Sequence, residues 1–297
     1  MSDEQRGIWN AVLAYVIWGI FPLFWKLLGH VSSMEVLASR IVWSCVITTI
    51  FIILIGQRKK LVTDLRYLWQ TKKQFFSLFA ASVIISVNWF IYIWAVANDH
   101  ILQASLGYYI NPLISVVFGM FFFKEKLSRA TIVAVCIAAV GVLVLTVQTG
   151  TIPWVSLVLA LSFAVYGVLK KKILLDATRG LAIETLFVLP LAVGYLGYIA
   201  FIGDMTFLHG DAMTDMLLII SGAITAIPLV LFAKSAKQIP LYLMGFIQYL
   251  APTLGLIIGV FIYHEPFTTV NLIAFSCIWA ALVLFSVSKI VEIRKRH

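Results

Sequence analysis

Residues 106–113 read LGYYINPL inside a long apolar run. A proline there removes a backbone donor and crowds the preceding turn. An asparagine away from water needs a partner. At helical spacing Tyr108, Asn111 and Ser115 share one face. Three other apolar runs carry comparable faces: Tyr15, Trp18, Gly19, Pro22 and Lys26; Asn88 and Tyr92; Gly245, Gln248 and Pro252. Amides supply orienting hydrogen bonds, and Tyr and Trp rings supply flat apolar walls. Such a set suits the binding of a small amphipathic or aromatic solute. Packing is the competing use, because membrane helices also associate through small residues and interhelical hydrogen bonds. Asn88, Asn111 and Gln248 fit either role. The Gly255–Gly259 spacing reads as close packing within one chain.

The charges inside the apolar runs are few. Arg40 lies about a turn into the second run, with Glu35 a turn earlier as a plausible partner. A charge at the centre of hydrocarbon costs roughly 2.5–3.5 kcal/mol on insertion scales, so Arg40 is expected to face the bundle or reach outward. Glu184 and Lys234 lie near the ends of their runs and read as pairing or gating groups. No Asp or Glu falls mid-run, which argues against a proton relay through a midplane carboxylate. Enzyme chemistry has little support. None of the five His sits in HExxH, and no GxxxxGK occurs. Cys45, Cys136 and Cys277 lie in apolar runs without a CxxC, so no metal or disulfide framework is expected. No cofactor is expected either.

The elements that must position these residues follow from composition. The chain is 62% hydrophobic and 12% charged, against about 45–50% and 25% in soluble domains. Ten runs approach the roughly 20 residues that a span needs, near 8–28, 36–55, 75–96, 102–123, 130–147, 153–169, 183–202, 216–236, 241–263 and 270–288. Nearly all Lys and Arg fall in alternate connections, which places both termini in the cytoplasm. The net charge of +9 is spread over those connections, so nucleic-acid binding is not expected. Between spans two and three, Leu61, Leu65, Leu68 and Trp69 recur among charges. That pattern predicts a short helix lying on the inner leaflet.

The segment SLGYYINPLISVVFGMFFFKEKLS (105–128) aligns without gaps to GFIQYLAPTLGLIIGVFIYHEPFT (245–268). Tyr109 meets Tyr249, Pro112 meets Pro252, Gly119 meets Gly259 and Glu125 meets Glu265. Trp18-Gly19 matches Tyr166-Gly167, and Glu35 matches Glu184, at slightly larger offsets. The reading is an all-α membrane protein of ten transmembrane helices arranged as two inverted five-helix repeats, 6–147 and 153–290. Five is odd, so the copies point in opposite directions. Inverted repeats with interrupted helices are a transporter signature. The expected site lies between the halves, lined by spans 1, 3, 4, 6, 8 and 9. Its substrate-binding residues are Tyr15, Trp18, Asn88, Tyr92, Tyr108, Asn111, Tyr166 and Gln248. Gly19, Pro22, Pro112 and Pro252 are the expected helix breaks.

The runs IWGIFPLFWK, NWFIYIWAV, QASLGYYINPLISVVFGMFFFKEKLS and GFIQYLAPTLGLIIGVFIYHEP resemble the RarD family of EamA-domain transporters, within the drug/metabolite transporter superfamily. The resemblance runs from about residue 6 to about 290. It implies ten helices, an inverted repeat, a bacterial plasma membrane and movement of small organic solutes. The chain departs from the family pattern at two places. Gln103 stands where the family often has Glu before ASLGY, and Ser39 where it often has His before the Arg of span two. If either family residue takes part in proton coupling, that role is lost here.

The leading expectation is a secondary transporter moving a small organic solute through the bilayer by alternating access. A membrane enzyme acting on lipid or isoprenoid substrates and a non-transporting membrane partner are the alternatives. Monomer and homodimer stay equally open.

Overall fold

A computed structural model describes residues 2–97, 101–148, 154–264 and 267–294. Among them there are helices and turns but no strand. The helices are α1 (Asp3–Leu27), α2 (Ser33–Leu54), α3 (Arg58–Gln70), α4 (Lys72–Ala97), α5 (Ile101–Phe123), α6 (Arg129–Gln148), α7 (Trp154–Lys172), α8 (Ala177–Ile202), α9 (Ala212–Gln238), α10 (Leu241–Gln248), α11 (Leu250–Phe261) and α12 (Thr269–Arg294). Ten segments of the described residues are long and apolar enough to cross a membrane. Each matches one sequence-predicted span, with α10 and α11 together forming the ninth. The chain is thus an all-α, multi-pass membrane protein.

Local signals set several ends. Ser2 and Gln5 form a reciprocal capping box at α1. Asp176 caps α8 and Asp211 caps α9. Gly203, at φ 80°, closes α8 in the left-handed conformation that glycine adopts freely. The short α3 is the expected surface helix: Leu68 is buried, while Trp69 and the Lys and Arg side chains are exposed. It marks the basic end of the bundle, where Lys170, Lys171, Lys172 and Lys237 also lie.

The helix contacts are exchanged by the repeat. Spans 1 and 8 pack (α1 on α9), as do spans 6 and 3 (α7 on α4). Spans 2 and 8 pack (α2 on α9), as do 7 and 3 (α8 on α4). Three spans pack on their own counterparts: α2 on α8, α5 on α10, and α6 on α12 at the periphery. Tyr109 and Tyr249 occupy matched positions, and each hydroxyl donates to a backbone carbonyl across the seam between the fourth and ninth spans. The Tyr109 hydroxyl donates to the Pro252 carbonyl at 3.3 Å, and the Tyr249 hydroxyl donates to the Tyr109 carbonyl at 3.4 Å.

Small residues permit the close approaches. A Cβ on Gly222 would lie 2.4 Å from the carbonyl carbon of Trp43 and 2.5 Å from the Ser44 nitrogen. Backbone atoms of a packed helix cannot swing aside as a flexible side chain can. Gly222→Ala is therefore expected to prise α2 from α9 and to cost about 1–3 kcal/mol. The check is the melting temperature of purified protein in detergent; unchanged melting would count against this packing.

Three of the expected helix breaks are corrected, Gly19 among them, since α1 is unbroken there. α1 continues through Pro22 and α5 through Pro112. A proline deletes a single backbone bond, and neighbouring helices can supply a substitute donor at membrane depth. The interruption that does occur is in span nine, at Tyr249, three residues before Pro252.

Candidate functional site

The predicted residues separate into four layers. At the basic end the two halves are sealed. The Glu125 carboxylate, just past α5, accepts from the Leu241 and Tyr242 backbone N–H groups at 2.7 and 3.0 Å, at the start of α10. Lys171 of α7 donates to the same carboxylate at 3.0 Å and to the Ile239 carbonyl at 2.8 Å. A carboxylate suits a helix N-terminus, where N–H groups lack partners and the dipole is positive. Asn10 donates to Gln238 at 2.9 Å, joining α1 to α9. Arg179 meets Asp64, tying α8 to α3. Glu184 pairs with Lys170 at 2.6 Å, both side chains only 3% exposed.

Above this lies an aromatic plug. Tyr166 stacks on Phe232 at 5.7 Å, and Trp18 meets Phe163 and Phe232 at 5.7 and 5.8 Å. Tyr15 packs against Trp18 at 5.1 Å. Tyr166 is fully buried here, so it closes the structure rather than lining an open cavity. Gly19 allows α1 to approach Leu254 and Ala251 of α11. Phe163 and Phe232 were missed by sequence reading, because nothing separates them from the many other aromatic residues.

The polar face in the middle is divided. Asn88 donates to the Leu159 carbonyl at 2.9 Å and to the Ser162 hydroxyl at 2.8 Å. It is glue between α4 and α7. Asn111 accepts from Ser115 at 3.3 Å. Gln248 differs: it is buried with its amide toward the Tyr15 hydroxyl, and neither the Gln248 Oε1 nor the Tyr15 hydroxyl makes a well-aligned hydrogen bond. Asn88→Ala is accordingly expected to lower stability by about 1 kcal/mol, within the range for interhelical bonds in bilayers, while leaving solute binding intact. Gln248→Ala is expected to do the reverse, weakening binding about tenfold with melting unchanged. Paired melting and binding measurements separate the two; the opposite assignment of effects would reverse these roles.

At the end away from the lysines, Tyr92 and Tyr108 touch at 5.9 Å. They are 37% and 48% exposed although protein surrounds both. Residues lining an open cavity have that combination. Arg40 lies beside them, its guanidinium carbon 4.1 Å over the Trp89 ring and 5.5 Å from that of Trp25. The expected Glu35–Arg40 pair is not formed. The fully buried Glu35 carboxylate accepts instead from the Thr206 and Phe207 backbone N–H groups at 2.8–3.1 Å, in the α8–α9 connection. Those amides already satisfy the carboxylate. Glu265, the repeat counterpart of Glu125, and the side chain of Gln103 lie outside the described residues. Ser39 is buried.

The description "EamA-like transporter family" matches residues 5–147. Over 97% of its length the chain is 46% identical to the Bacillus subtilis (strain 168) "Uncharacterized transporter YojE", covering 96% of that protein. It is 40% identical to "Protein RarD" of Streptomyces exfoliatus over 96% of this chain and 89% of that one. A Pseudomonas aeruginosa relative bearing the name "Chloramphenicol-sensitive protein RarD" is 31% identical, with 96% and 94% covered. A solved crystal structure at 18% identity shares the fold, with a TM-score of 0.70 over 94% of this chain and 96% of that one.

Proposed function

The chain belongs to the RarD family of EamA-like transporters, and from that premise we propose that it is a secondary transporter carrying a small organic solute across a bacterial plasma membrane by alternating access. Its halves are two inverted five-helix repeats, 6–147 and 153–290. The basic end faces the cytoplasm, with both termini there, as the distribution of Lys and Arg favours. The observation that carries this reading is the asymmetry of closure. At the basic end Glu125, Lys171 and the plug around Phe232 bar the way. At the other end the walls of Tyr92 and Tyr108 stand open. That is an outward-facing arrangement, and exchange of the two repeats describes the inward-facing one. α10 packs on α5 at the basic end, while α11 makes only slight contact with α5. The exchanged state would close that outer seam.

The experiment is solute flux in vesicles reconstituted with purified protein, screened across small organic solutes. Counterflow of at least one solute, absent from empty vesicles, is expected. Failure across the screen would leave the membrane-partner reading in front. The repeat has a separate check. With the three native cysteines removed, an impermeant thiol reagent outside whole cells is expected to label cysteine placed at Glu265 and to spare cysteine at Glu125. Labelling of both from one side would refute the inversion.

A further inference from the structure

We propose that Arg40 is the anchor for a carboxylate on the transported solute, so that the substrate is an organic monoanion with a flat apolar body. The inference rests on the transporter reading and names the chemistry of that site. Arg40 lies seven residues into α2 from its outer end, and Tyr108 seven residues into α5 from its own. At 1.5 Å per residue both lie about 10 Å deep. Tyr92 and Trp89 descend from the outer end of α4 to similar depths. Three elements thus bring one guanidinium and three aromatic rings to one level of the open cavity.

Among the described residues no carboxylate forms an ion pair with Arg40. Its Nε is buried without a hydrogen-bond partner. Glu35 is committed to backbone amides. Buried charges are normally paired. Stacking on Trp89 occupies a face of the guanidinium and leaves its in-plane N–H groups to donate. That planar fork fits a carboxylate edge-on. Lys26 is turned away, over the Tyr263 ring at 3.8 Å, so the cage presents a single positive charge. One charge balances a carboxylate and leaves a dianionic phosphate ester in excess. The rings of Trp89, Tyr92 and Tyr108 would then sandwich the apolar body.

The test is equilibrium binding to purified full-length protein in detergent, using a panel of aromatic and aliphatic monocarboxylates, among them 3-phenylpropionate, each paired with its neutral amide. Calorimetry supplies affinities, and quenching of Trp fluorescence reports engagement of the cage. Wild-type protein is expected to prefer at least one acid over its amide by about a hundredfold. Arg40→Gln is expected to abolish that preference, and Arg40→Lys to retain roughly a tenth of it. A purely structural Arg40 would change melting without changing the acid-to-amide ratio, so that ratio decides. Amides binding as well as acids, no acid binding to folded wild-type protein, or a preference that survives in Arg40→Gln would each overturn the proposal. Because binding needs no flux, the two readings fail separately. Arg40-dependent acid binding without vesicle transport retains the site and removes the transporter. Flux of neutral solutes with no acid preference does the opposite.

Discussion

Glu184→Gln is expected to lower the melting temperature by on the order of 10 °C, the largest stability loss of any single substitution considered. Lys170 and Glu184 meet at 2.6 Å with both side chains 3% exposed. Breaking a buried pair by removing one charge costs about 3–5 kcal/mol, because the other is left unpaired away from water. A kilocalorie shifts melting by about 2–4 °C in chains somewhat shorter than this one. The matched double variant Lys170→Met, Glu184→Leu is expected to recover most of the loss, since apolar replacement of a buried pair is often neutral or better. Scanning fluorimetry on the two singles and the double settles the point. If the double melts as low as either single, the pair matters through its surroundings rather than its charges.

Glu125→Gln is expected to release the closure at the basic end. The carboxylate accepts two backbone N–H groups of α10 and the Lys171 ammonium at once. Hydrogen bonds to charged groups are worth about 1.5–3 kcal/mol each. Neutralising the group while keeping its size is expected to remove roughly 3 kcal/mol from the closed state, a shift on the order of a hundredfold. Ser115→Cys is a fitting reporter, because Ser115 is buried against Gly245 in the α5–α10 seam. In inverted vesicles carrying a background free of native cysteine, its labelling rate is expected to rise at least tenfold with Glu125→Gln. An unchanged rate would show that the carboxylate does not hold the seam.

The parts legible in the sequence were those written in hydropathy and register. Ten spans can be read because a bilayer demands length and apolarity of every helix that crosses it. The Tyr109–Tyr249 match can be read because proline, glycine and glutamate recur in step around it. Partners were harder. Glu35 was matched to Arg40 by side-chain proximity, yet it binds amides of a connection far along the chain. Backbone donors carry no residue signature. Lys170 was hidden in a run of three lysines. It lies one turn beyond Tyr166, on the buried face of α7, and that spacing is the signal that would have singled it out. Trp25 and Trp89, which flank Arg40, were lost among a 14% aromatic background. The prolines misled because a helix supported by its neighbours tolerates one missing bond.

The interruption of the ninth span at Tyr249 bears on the order of events in a transport cycle. A continuous helix would act as a seesaw, so that shutting the outer mouth would at the same moment lift the inner latch. Two segments jointed at Tyr249 would act as separate levers. α11, twelve residues and about 18 Å long, would swing over the outer mouth while α10 stays fastened to Glu125. The fulcrum would be the pair of bonds by which Tyr109 reaches Pro252 and Tyr249 reaches Tyr109. The cycle then gains a resting point with both doors shut and the solute enclosed, and leakage of ions or water during the turnover is suppressed. Rigidifying the joint with Tyr249→Ala, which favours continuous helix and deletes the fulcrum hydroxyl, is expected to raise passive leak in vesicles; a tight Tyr249→Ala protein would show that the levers move as one.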